Sequence, residues 1–412
     1  MSKRPSPFYS QLEPMPVHQL DLPASTEDVP ALNCPVCGSA NELDVVELTG
    51  LPVFCNVLHA TEDAAKNATR GDLQLRYCWA CEHVFNVAFD ASLMDYDIAY
   101  ENSLHYSPRF EQFAQTLASR LIETYDIRGR HVVEIGIGKG DFMRMLCEQG
   151  GNHGLGFDPS FQPELVGEVP FEVVRDYYDP TYAHVPADLV VCRHVLEHIE
   201  QPTDMLRGLR ETLGSRHDTI VYIEVPNVRY TLEEGGVWDL IYEHCGYFSA
   251  ASLRFALEST GFEVLRLEES FGGQYLSVDA RPAEHVTPRA TERVLADAVA
   301  GFSGQLNDVL DTHQRVLDEL RANGQTAVVW GAGSKGVTMI NLLDGAGIIT
   351  ALVDINPRKQ GRFAPGAGLP VVSPDALTEL KPDVVFVVNG LYRDEIAGML
   401  AERGIEADLH VV

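Results

Sequence analysis

The sequence predicts an α/β protein with two open parallel sheets, and two observations carry that prediction. Short β-branched runs alternate with amphipathic helical stretches from His131 to about Ala280, and the alternation starts again at Ala327. Each series opens with a strand that runs into a glycine-rich turn and then a helix, which is how strands cross over into a parallel sheet with covering helices. A third observation sets the front of the chain apart. There Cys34-Pro35-Val36-Cys37 and Cys78-Trp79-Ala80-Cys81 bracket short apolar runs broken by turns, which reads as a small, loop-rich domain.

At 412 residues with 45% hydrophobic content, the chain exceeds one ordinary core and divides into two or three domains. We expect an extended lead-in over 1–32, a small cysteine domain over 33–90, a first sheet domain over 91–285, a helical connector over 286–325 and a second sheet domain over 326–412. The lead-in carries Pro5, Pro7, Pro14, Pro16, Pro23 and Pro30, which deny it regular hydrogen bonding. A tyrosine-rich stretch runs from Tyr96 to Tyr106, and Tyr100 and Tyr106 within it are candidates for substrate contact. Phe110, Phe113, Leu117 and Leu121 then predict a helix. In the connector, Leu295, Val299, Phe302, Leu306, Leu310, Leu317 and Leu320 predict one long helix or two packed ones, stopped at Asn323-Gly324.

A net charge of −29, from 31 basic and 60 acidic residues, repels phosphate backbones and anionic lipid. Nucleic acid and membrane are therefore not expected partners, and a small-molecule substrate is. No apolar run approaches the roughly 20 residues needed to span a bilayer, and the polar start lacks an apolar signal core, so a cytoplasmic location is expected.

The loop Glu134-Ile135-Gly136-Ile137-Gly138-Lys139-Gly140 follows a β-branched strand and enters a helix with core-spaced Phe142, Met145 and Leu146. A nucleoside cofactor needs such a turn, because only glycine lets backbone approach a ligand this closely. Gly136, Gly138 and Gly140 supply it. Glu134 is an anion suited to a cationic methionine headgroup and unsuited to a pyrophosphate, so charge selects S-adenosylmethionine over a dinucleotide. Asp158, at the end of a second strand, has the carboxylate that accepts hydrogen bonds from both ribose hydroxyls. Asp176 sits where an adenine amino group is read, and His194 follows the fourth strand in Cys192-Arg193-His194-Val195-Leu196-Glu197-His198. Each has a plainer reading: Glu134 as a helix cap, Asp158 as a turn before Pro159, His194 as a core histidine.

Two Cys-x-x-Cys pairs can place Cys34, Cys37, Cys78 and Cys81 tetrahedrally about a structural zinc ion. A redox dithiol is the rival, but it needs only one pair. The second glycine loop, Gly331-Ala332-Gly333-Ser334-Lys335-Gly336, also joins strand to helix, and Asp354 closes the next strand at the ribose distance. Read alone, it suggests an NAD-type dinucleotide and an oxidoreductase. That reading leaves the Glu134 loop unused.

Tyr242-Glu243-His244-Cys245-Gly246-Tyr247-Phe248-Ser249, with Gly272-Gly273 downstream, resembles the Glu-His motif and glycine pair of the three-domain C-methyltransferases of deoxysugar biosynthesis. The resemblance covers nearly the whole chain after the lead-in. It implies a class I methyltransferase Rossmann-like sheet flanked by a small zinc-binding N-terminal domain and a second Rossmann-like C-terminal domain. It further implies that His244 removes a proton beside the ketone of a nucleotide-linked 4-keto-deoxysugar. The chemistry is sensible in itself, since histidine titrates near neutrality. Glu243 would orient His244 or carry the proton onward, and Tyr242 would hydrogen-bond the enolate oxygen. Gly331, Gly333, Lys335 and Asp354 would hold the nucleotide, with Lys335 and loop amides on phosphate at a helix N-terminus. A plain alternative is that Glu243 and His244 only cap the helix near Ser249. A methyltransferase of another small acceptor, on carbon, oxygen or nitrogen, and a non-catalytic nucleotide-binding module also stay open.

Overall fold

The computed structural model describes residues 33–94, 100–163, 166–289, 291 and 293–412; the expected lead-in over 1–32 and Tyr96 lie outside them. The cysteine segment holds longer strands than its apolar runs suggest. Glu42–Pro52 (β1), Arg70–Cys78 (β2) and Val84–Asn86 (β3) form an antiparallel sheet, with β1 facing β2 from Glu42 opposite Cys78 to Pro52 opposite Arg70. The reason is periodicity: Leu73, Leu75 and Tyr77 of β2 are buried at every second position, and a one-faced strand needs no continuous apolar run.

The middle sheet begins with His131–Ile135 (β4), His153–Phe157 (β5), Glu172–Val174 (β6), Leu189–Arg193 (β7) and Ile220–Pro226 (β8), all mutually parallel. The chain then leaves this sheet. Gly246–Tyr247 (β9), just past His244, pairs antiparallel with β3 and closes the N-terminal sheet. Phe262–Ser270 (β10) and Tyr275–Pro282 (β11) return as an antiparallel hairpin beside β8, where the sequence pattern had suggested only parallel strands. The order is β10-β11-β8-β7-β4-β5-β6. It reverses at β4, between β5 and β7, and ligands of such sheets bind beyond the carboxyl ends of the strands at that point.

The last sheet is wholly parallel, in the order β14-β13-β12-β15-β16, from Ala327–Trp330 (β12), Ile349–Val353 (β13), Val371–Val372 (β14), Val384–Val387 (β15) and Asp408–Val411 (β16). A single helix, Ala296–Asn323, links the two larger sheets and stops at Gly324, whose φ is 67°. Its Val299, Phe302, Leu306, Leu317 and Leu320 share one buried cluster with Leu73 and Leu75 of β2 and with Val329 and Phe386 of the last sheet. Phe85 of β3 shares a second cluster with Val190 and Val221 of the middle sheet, so buried clusters join all three sheets. Among the described residues, no helix is long and apolar enough to cross a membrane.

Candidate active site

Past β4 the chain turns on Gly136, Gly138 and Gly140, with φ of 69°, 56° and 75°. A Cβ on Gly136 would lie 2.3 Å from Val195, and one on Gly140 2.2 Å from the ring of Phe171, while Gly138 faces open space. Packing therefore requires the outer two glycines, and the middle one leaves bare backbone for a ligand. The Gly138 amide donates to Asp158 at 3.0 Å. Glu134 is 4% exposed, and one of its carboxylate oxygens accepts no hydrogen bond. Burial pushes its pKa up to about 8, so an arriving cation meets an acid that its charge helps to ionise.

Asp158 also accepts from the amide and hydroxyl of Ser160 at 2.8 and 2.7 Å, and a carboxylate with about four acceptor sites has capacity left. Asp176 takes hydrogen bonds from the Tyr177 amide and the Tyr182 hydroxyl. His194, in the left-handed region at φ 54°, stands 3.6 Å from Glu197 and 3.1 Å from Glu224. Burial would lower its pKa, but the two carboxylates raise it to about 9. Burial would raise Glu224, but Arg193, bonded to it at 2.9 and 2.7 Å, and His194 hold it down to about 2.

A cavity of about 290 Å³ opens where the three sheets meet. His194, Glu197, His198, His244, Tyr100 and Tyr106 form one side; Trp330, Gly331, Gly333, Lys335 and Asp354 form the other. The His244 Nδ1 has no hydrogen-bond partner, and the ring lies edge-on to His198 with centroids 4.9 Å apart. Burial, reinforced by nearby His198, His194 and Lys335, holds its pKa well below the usual histidine value, which keeps the imidazole neutral.

Two expectations for the motif need correction. The Glu243 side chain makes no hydrogen bond to His244; its carboxylate accepts from the Cys55 amide and the Tyr100 hydroxyl, while its backbone carbonyl meets His198 Nδ1 at 2.9 Å. Glu243 therefore ties the N-terminal domain and Tyr100 to the motif. Tyr242 does not line the cavity: its buried hydroxyl finds the Asp90 amide at 2.8 Å, and its ring stacks on Phe89. The phenols at the cavity wall are Tyr100, Tyr106, Tyr275 and Tyr392, of which Tyr100 also accepts from Asn56 at 3.3 Å.

In the C-terminal lobe, Gly331 has φ 111°, and a Cβ on Gly336 would fall 1.9 Å from the Gly331 carbonyl oxygen. Asp354 braces this loop by accepting from the Ala332 amide at 2.9 Å and the Asn356 amide at 2.8 Å. Lys335 differs from the expectation of a free phosphate ligand. Its ammonium is ion-paired with Asp239 and lies over the Tyr230 ring. The cation beneath the loop is Lys359, 4% exposed, which donates to the Ala332 carbonyl at 3.0 Å. Sequence reasoning missed Lys359, Asn56, Glu197, His198 and the reciprocal Gln274–Asn389 amide pair. Glu197 and His198 close the same run that contains His194, so their place after β7 was the available signal.

At the N-terminal domain the sulfurs of Cys34, Cys37, Cys78 and Cys81 all lie within 4.8 Å of one another, with Cys34–Cys81 at 3.6 Å and Cys37–Cys78 at 3.4 Å. None forms a disulfide. Tetrahedral zinc with Zn–S near ~2.3 Å would set neighbouring sulfurs about 3.8 Å apart, so the cluster is compatible with that ion.

Comparison with known proteins agrees with this layout. Residues 106–267 match the methyltransferase domain family, and residues 289–406 match the C-methyltransferase C-terminal domain family. The C-methyltransferase NovU of Streptomyces niveus is 25% identical over 391 residues, covering 89% of this chain and 91% of that protein. Two solved structures resemble part of the chain. Magnesium protoporphyrin IX methyltransferase (ChlM) of Synechocystis PCC 6803 with bound SAH is 17% identical, covering 42% of this chain and 84% of its own, with a TM-score of 0.32. N,N-8-amino-8-demethyl-D-riboflavin dimethyltransferase (RosA) of Streptomyces davawensis is 18% identical, covering 43% and 61%, also with a TM-score of 0.32. The chain is an S-adenosylmethionine-dependent methyltransferase. Its middle and C-terminal segments are similar to the two domains that those families describe.

Proposed function

We propose that this enzyme methylates the carbon beside a ketone, on a nucleotide-linked 4-keto-deoxysugar, with His244 as the base. The observation that carries the proposal is the neutral His244 ring on the wall of a cavity shared by the two nucleotide-type lobes. His244 takes the α-proton and the C–H electron pair becomes an enolate, which would be positioned to accept a methyl from a bound donor, whose methyl–sulfur bond would break with its electron pair left on a neutral thioether sulfur. The donor supplies an electrophilic methyl on a cationic sulfur. Glu134, Gly136, Gly138, Gly140, Asp158, Asp176 and His194 surround its binding position in this reading. Tyr100, whose one proton goes to Glu243, and Tyr106 border the substrate from the same wall. Gly331, Gly333 and Lys359 face the nucleotide, while the Lys335 ammonium is held by Asp239.

Incubating a 4-keto-sugar nucleotide with enzyme in deuterated water, without methyl donor, tests the base. Wild type exchanges the α-proton, and His244→Ala slows exchange by at least 100-fold. Unchanged exchange in the variant removes His244 from the role. We further assign one structural zinc ion to Cys34, Cys37, Cys78 and Cys81. Metal analysis of purified enzyme should give one zinc per chain, lost in Cys34→Ser with a lower Tm; a full complement of zinc in the variant contradicts the assignment.

A further inference from the structure

A second candidate ligand set lies in the cavity wall, away from the four cysteines. We propose that Glu197, His198 and His244 bind one divalent transition-metal cation, and that its binding inhibits the enzyme by occupying the proposed base; the inhibitory half rests on His244 acting as that base. One ligand atom from each of the three residues lies within 4.8 Å of the other two. Glu197 is 1% exposed, yet neither carboxylate oxygen accepts a hydrogen bond. Its nearest positive group is His194 Nδ1 at 3.6 Å, and that ring is shared with Glu224 at 3.1 Å. Buried carboxylate oxygens without donors are unfavourable, so this side chain is set up for a cation rather than for packing.

The histidines are prepared for the same ligand. A backbone carbonyl can only accept, so His198 Nδ1, 2.9 Å from the Glu243 carbonyl, carries the proton and leaves the Nε2 lone pair free. That outer hydrogen bond is the one that orients metal-binding imidazoles. His244 contributes a ring whose Nδ1 has no partner. Glu197 and His198 share the short turn Leu196–His198 past β7, and His244 arrives on the strand-bound segment before β9, so two separate elements close on one point. Two imidazoles and one carboxylate suit zinc, cobalt or nickel better than magnesium or calcium, and they leave coordination positions open toward the cavity. A cation held there draws on the His244 lone pair, and the ring then has less basicity for the substrate proton.

Cobalt(II) titration of enzyme whose cysteine site already holds zinc tests this. Wild type should bind one further cobalt without the intense sulfur charge-transfer absorption of thiolate sites. Glu197→Gln and His198→Asn should each weaken binding at least tenfold; asparagine keeps a donor for the Glu243 carbonyl, which guards against simple misfolding. Cobalt should suppress solvent exchange of the substrate α-proton over the range in which it binds. No cobalt bound beyond the zinc, or equal binding by both folded variants, overturns the site; if exchange then proceeds normally, the reading of His244 as base still stands. Glu197-dependent binding that accelerates exchange overturns the inhibition and, with it, the role of His244 as base.

Discussion

The two Rossmann-like lobes share a device and differ in the charge placed beneath it. In both, an acid at the end of the second strand accepts from an amide of the glycine loop: Asp158 from Gly138 at 3.0 Å, Asp354 from Ala332 at 2.9 Å. Two residues before its first loop glycine, the middle lobe has Glu134, a buried acid with one oxygen unsatisfied; at the same offset the C-terminal lobe has Val329. Under the C-terminal loop lies the buried cation Lys359 instead. One backbone plan therefore carries a buried, ionisable acid before one loop and a buried lysine, 3.9 Å from Asp354, beneath the other. In the proposed function the acid would ionise against a sulfonium donor and the lysine would face the substrate phosphates.

This contrast can be broken at three points. The largest effect belongs to Gly138→Arg, which places a bulky cation where the loop faces open space, at a φ that costs about 1–2 kcal/mol for an L-residue. Calorimetry should show at least a 100-fold loss of S-adenosylmethionine affinity with nucleoside diphosphate binding intact; loss of both would mean that the lobes are not separable. Glu134→Gln comes next. In the free enzyme Glu134 is mostly protonated below about pH 8, and a bound cation favours its ionised form, so binding releases a proton. Wild-type affinity for the donor should rise between about pH 7 and 8.5, by up to roughly tenfold per pH unit, and the variant should lose that slope. A slope of equal size in both proteins contradicts the role of Glu134. The smallest effect is Lys359→Met, expected to weaken nucleoside diphosphate binding by several-fold, about 1 kcal/mol, and to leave donor affinity unchanged.

The glycine loops were legible in the sequence because tight turns and close packing permit little else at Gly136, Gly140 and Gly336. The cysteine pairs were legible as chemistry, and the β1–β2 pairing brings them together although Cys37 and Cys78 are 41 residues apart. What escaped were partnerships set by the fold. Glu243 answers an amide 188 residues away, Lys335 a carboxylate 96 residues away, and Tyr242 the backbone at Asp90. Adjacent letters in the Tyr242-Glu243-His244 motif look like one functional unit. In three dimensions, its side chains serve the N-terminal domain, the Tyr100 contact and the cavity separately, because β9 pins the following residues to another sheet.

The most direct test titrates a nucleoside diphosphate into enzyme already saturated with S-adenosylhomocysteine. The account predicts that one nucleotide binds per chain without displacing the cofactor product, as follows if the two take different lobes across the cavity. Mutual displacement, or nucleotide binding only in the absence of the cofactor product, would contradict it.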